Sequence, residues 1–113
     1  MYKLNKTKFS VIENGAGLSA QDTVFEYQEI ENVIQGKYKG GGILSGSVIG
    51  KRISEREVYL YFQCVTDTLE LRSGESRGIL SRSNEELIEI DFKWRWFDTE
   101  EWFPSKHKEL PQK

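Results

Sequence analysis

The chain has 113 residues, 37% of them hydrophobic and 30% charged, a length and balance that fit one globular domain with its own core rather than a disordered segment. Its 16 basic and 18 acidic side chains leave a net charge of −2, which offers no long-range attraction for nucleic acid or an anionic membrane. The single cysteine, Cys64, excludes an intrachain disulfide, and no apolar run resembles a signal peptide or a membrane span, so the cytoplasm is the expected location.

Taken in order, almost every segment alternates with period two and ends at turn residues. Phe9–Glu13 runs into Asn14-Gly15, and Thr23, Phe25 and Tyr27 then alternate with Val24, Glu26 and Gln28. Val33–Lys39 ends at Gly40-Gly41-Gly42, Ile43–Ile53 at Ser54-Glu55, and Val58–Thr66 at Asp67-Thr68. Leu69–Arg82 carries an interruption at Ser73-Gly74, and Leu87–Phe97 runs to Asp98. These segments predict seven strands, with an eighth if Glu101–Phe103 pairs. No window carries a helical apolar stripe, and SAQD near Ser19 and SNEEL near Ser83 each suit one helical turn at most. The tail from Pro104 to Lys113 is expected to fray.

Short connections favour antiparallel neighbours, and a meander of about eight strands removes its edges by closing on itself. The expected fold is all-β: a single domain over 1–113, with an antiparallel up-and-down barrel over about 7–103. A two-sheet sandwich is the alternative. Gly36, Gly46 and Gly50 lie inside strands, where glycine marks a bend or a close approach.

Motifs for chemistry are weak. Gly15–Ala20 satisfies G-x-G-x-x-A, but that fingerprint needs a helix next, and QDTVFEY is a strand pattern. GGGILSGSVIGKR fails as a phosphate loop, with Ser45 where the first glycine belongs and Arg52 in place of Ser or Thr after Lys51. His107, the only histidine, lies in the Lys-rich tail, and one His with one Cys does not make a usual zinc site. Glu85, Glu86, Glu89 and Asp91 read as solvated faces and turns, and Cys64 as a buried, inert thiol. FKWRWF mimics single-strand nucleic-acid binders, yet alternation puts Trp94 and Trp96 on the face opposite Lys93 and Arg95. No catalytic residue, metal, cofactor or nucleic-acid partner is therefore expected.

Ile88, Ile90, Phe92, Trp94 and Trp96 form one apolar face that should point inward. A filled core is one reading of that face. The other is a small ligand cavity, because tyrosine and tryptophan carry polar groups that need partners when buried. The candidate lining is Tyr27, Tyr38, Tyr61, Trp94 and Trp96. Val58–Val65, VYLYFQCV, is apolar on both faces, so its outward side is expected to pack against a second copy in a homodimer.

Thr23-x-Phe25-x-Tyr27, the run from Tyr38 through Gly40-Gly41 and Gly46 to Ile49-Gly50, Tyr61, and Trp94-x-Trp96 together resemble a family of small bacterial avidin-like meander barrels of unknown function. Some of its members carry an N-acetylglutamate synthase label. The resemblance spans about residues 7–97 and implies an eight-stranded barrel. Members often place a carboxylate two residues before the first tryptophan, where this chain has Phe92. An acetyltransferase needs helices and a loop that cradles pyrophosphate, and neither is legible here. The resulting expectation is a non-enzymatic barrel that holds a small, partly apolar molecule in its mouth.

Overall fold

The structure is a computed structural model describing residues 2–14 and 22–111. Alternating side chains give most strands one apolar and one polar face, and closing the sheet buries one apolar face of each together. The eight strands are β1 (Thr7–Asn14), β2 (Val24–Ile30), β3 (Val33–Gly40), β4 (Ile43–Ser54), β5 (Glu57–Thr66), β6 (Leu71–Arg82), β7 (Ile88–Trp96) and β8 (Phe103–Glu109). Each pairs antiparallel with the next, and β8 pairs with β1 to close the barrel. The expected meander barrel is the observed fold. No helix among the described residues is long and apolar enough to cross a membrane.

The closing strand corrects the sequence reading. The eighth strand is not Glu101–Phe103, and the tail expected to fray from Pro104 instead forms most of β8. Phe103, Ser105 and His107 face inward while Lys106 and Lys108 stay on the outer side, so the period-two pattern was present beneath a basic composition. Pro104 sits at the start of the strand, where a missing N–H is tolerated. Pairing to β7 and β1 covers two edges that would otherwise be bare. The break expected at Ser73-Gly74 is also absent, since β6 runs unbroken through it.

Turns follow the backbone chemistry. Glu31 and Asn32 both adopt positive φ, 50° and 68°, giving the two-residue hairpin whose twist matches its strands. Gly40 and Gly41, at φ 113° and 61°, make the β3–β4 turn expected from the glycine run. The SNEEL segment forms a hydrogen-bonded turn without a helix, with Glu86 N–H donating to the Ser83 carbonyl.

Inside the barrel, aromatic rings lie opposite glycines. Tyr27 pairs with Gly36, Tyr38 with Gly46, and Phe92 with Gly78, while Gly74 lies between Phe62 and Trp96. A Cβ on Gly78 would sit 2.7 Å from Phe92 Cε1, so the glycine is the space the ring occupies. The in-strand glycines thus mark close approaches.

One end of the barrel is closed by the residues before β1. Leu4 is fully buried, and its N–H donates to Glu29 Oε1 at 3.0 Å. Arg52 grips the same carboxylate from Nε and Nη2, each at 2.7 Å, and Nη2 also donates to the Tyr2 carbonyl at 2.7 Å. Hydrogen bonds from Arg52 hold the Glu29 carboxyl below its ordinary pKa, outweighing burial. At the other end Trp96 closes β7, with the Arg72 guanidinium 4.2 Å over its ring.

Candidate functional site

Between these ends the inward side chains pack as a ring-lined interior. Phe25 stacks on Tyr38 with centroids 4.5 Å apart, and Trp94 meets Trp96 edge-on at 5.2 Å. Phe62 joins both indoles, at 6.1 and 5.5 Å, and Phe103 lies 5.2 Å from Trp94. The packing leaves a cavity of about 70 Å³. That space holds about two waters at ~30 Å³ each, well short of the ~300–1,000 Å³ of a pocket for a drug-sized ligand.

Four of the five residues named from sequence line this cavity: Tyr27, Tyr38, Trp94 and Trp96. Tyr27 is 2% exposed, and burial pushes its hydroxyl pKa up. Tyr38 donates to the Gln63 carbonyl at 3.2 Å, and burial raises its pKa as well. The fifth residue, Tyr61, is not in the interior. It is 51% exposed on the outer face, pairs with Ile49 and Glu75, and meets the Phe97 ring at 5.3 Å. Because β5 is apolar on both faces, its composition gave no phase. The hydrogen-bond register does, placing Leu60 and Cys64 inside.

Sequence reasoning missed the most polar part of the site. His107 is 6% exposed and lines the cavity together with Ser76 and Ser105. Its imidazole lies between the rings of Phe25 and Phe92, at 4.7 and 4.8 Å. Desolvation lowers its pKa to about 3, so the ring is neutral at physiological pH. The alternation of Phe103, Ser105 and His107 carried this signal. Cys64 is buried, with its thiol pKa raised chiefly by desolvation, as an inert core thiol would be.

Among the described residues, the remaining motifs add no second centre. Gly15–Ala20 and most of SAQD lie outside the described residues. Among the described residues, no cluster of three or more His, Cys, Asp or Glu is arranged to hold a metal. Glu85 pairs with Lys108 at 2.7 Å, and Glu89 and Asp91 both face Lys106, which makes them parts of surface ion pairs.

No curated protein and no solved structure is recognisably similar to the chain. The sequence model of one family, described as avidin-like protein, matches residues 2–109, nearly the whole barrel from the plugging residues to the closing strand. With eight meander strands closed around an aromatic interior, the chain belongs to the avidin-like protein family.

Proposed function

We propose that this protein is a non-enzymatic binding barrel that holds one small, partly apolar molecule beneath the Trp96 ring. The observation that carries this reading is the cavity of about 70 Å³, walled by aromatic rings and touched by a few polar groups. With the far end stoppered by Leu4 and the Glu29–Arg52 pair, entry runs past Trp96 and Arg72. The unpaired Cys64 favours a cytoplasmic setting. The test is native mass spectrometry of freshly purified protein. A reproducible extra mass, lost on denaturation, supports the reading. The bare chain mass in every preparation, together with no response to compact aromatic probes, overturns it in favour of a protein whose core is simply filled.

The same reading includes a homodimer. Ile49, Tyr61 and Phe97 are exposed by 56%, 51% and 44% on the outer face, and Ile49 and Tyr61 are direct cross-strand partners there. Light scattering at micromolar concentration should give twice the chain mass, and a monomeric mass removes the dimer from the reading.

A further inference from the structure

The hydrogen bonds around His107 fix where its proton sits. Ser105 Oγ donates to the Glu13 carbonyl at 3.0 Å, and it lies 3.1 Å from His107 Nε2. A hydroxyl has one proton, and here the carbonyl takes it. Ser105 can therefore only accept from the imidazole, which makes Nε2 the protonated nitrogen and Nδ1 a bare acceptor. Nδ1 is buried and has no hydrogen-bond partner among the described residues. A bare acceptor in an apolar interior is costly, and native structures almost always satisfy one.

The cavity beside this atom is where a partner can sit. The hydroxyl-bearing side chains of Tyr27 and Ser76 line it too. Among the described residues the lining contains no carboxylate, lysine or arginine, so an ionic ligand would find no counter-charge there. Water alone fits poorly. Filling the space takes about two molecules at ~30 Å³ each, and each wants roughly two to four polar partners, which the mostly ring-lined walls supply sparsely.

We propose that the cavity takes one compact, uncharged molecule with an N–H or O–H group, its donor on His107 Nδ1 and its apolar part against Trp94, Phe92 and Phe25. This rests on the binding-barrel reading above and names the ligand chemistry within it. The size limit lies below benzene, which fills an apolar cavity of ~150 Å³, so at most about five non-hydrogen atoms fit.

Pyrrole and furan test this directly, being five-membered rings of nearly equal shape of which only pyrrole carries a donor. Each is titrated into the full chain, followed by tryptophan fluorescence and by nuclear magnetic resonance of the His107 ring nitrogens. Pyrrole should bind roughly five- to ten-fold tighter than furan, the yield of one hydrogen bond. It should also move the Nδ1 resonance upfield while Nε2 stays protonated. In His107→Leu the preference should vanish while furan still binds. Equal affinities in the wild type, a preference that survives His107→Leu, or an Nδ1–H tautomer would overturn the anchor and leave the binding reading standing. Binding of neither ring would overturn both. The wild-type comparison and the tautomer need no variant, so the test survives a His107→Leu chain that fails to fold.

Discussion

Gly46 lies directly across the β3–β4 ladder from Tyr38, and a Cβ built on it would fall 2.4 Å from the tyrosine Cζ. The ring cannot step aside, because Phe25 stacks on it and its hydroxyl is tied to the Gln63 carbonyl. Gly46→Ala should therefore overpack the wall and cost about 1–3 kcal/mol or more. Gly46→Ala in a Tyr38→Leu background should cost much less, because the flat ring is gone. Chemical denaturation of the four proteins measures the coupling, and additive losses would contradict this account.

The three tryptophans should separate by environment. Trp94 is 7% exposed and touches Phe62, Trp96 and Phe103, so Trp94→Ala should cost about 3–5 kcal/mol. Trp96 is buried too but ends its strand beneath Arg72, and part of its surface lines the cavity. Trp96→Ala should cost about 2–3 kcal/mol, because fewer contacts are lost. Trp102 is 40% exposed with one guanidinium, Arg95, 5.6 Å over its ring, and its removal should cost under about 1 kcal/mol. Denaturant melts of the three alanine variants give the order, and equal losses would be inconsistent with the proposed entry past Trp96.

Much of this interior could be read from alternation alone. Ile88, Ile90, Phe92, Trp94 and Trp96 face inward as their spacing requires, as do Phe25, Tyr27 and Tyr38. Tyr61 could not be phased, because both faces of its strand are apolar and only the register with Ile49 and Glu75 decides. His107 was obscured by Lys106 and Lys108, which made the segment look like a solvated tail. Its burial follows from barrel closure, a long-range event that puts it beside Val11 and Ile90. The bare Nδ1 depends on one further step, the bond from Ser105 to Glu13, which lies 92 residues away in the chain.

The Glu29–Arg52 pair should hold the stopper in place. Both side chains are nearly buried, at 4% and 10% exposure, so removing one partner strands a charge. Arg52→Met should cost about 3–5 kcal/mol, and adding Glu29→Gln should recover part of that by removing the stranded carboxylate. Hydrogen exchange at the Leu4 amide should accelerate in Arg52→Met, because the Glu29 carboxylate that accepts from it is no longer positioned by the arginine. An unchanged Leu4 amide would place the closure elsewhere.

Acid should destabilise the barrel through His107 before it does so through the carboxylates. The imidazole titrates near 6.5 when unfolded and at about 3 when folded, so below pH 6.5 the unfolded chain binds a proton that the folded chain refuses. Stability therefore falls as pH drops from about 6.5, with a slope approaching about 1.4 kcal/mol per pH unit by pH 5. The other titratable groups lining the cavity, Tyr27 and Tyr38, have raised pKa values and stay neutral throughout this range. Glu29, held low by Arg52, contributes with the same sign only below about pH 4.5, where the unfolded carboxyl protonates. Between pH 6.5 and 4.5 the slope should thus belong to His107. Melts of the wild type across that window should lose stability steadily, while His107→Leu should be nearly flat. Parallel pH profiles for the two proteins would show that the imidazole is not held neutral inside the barrel.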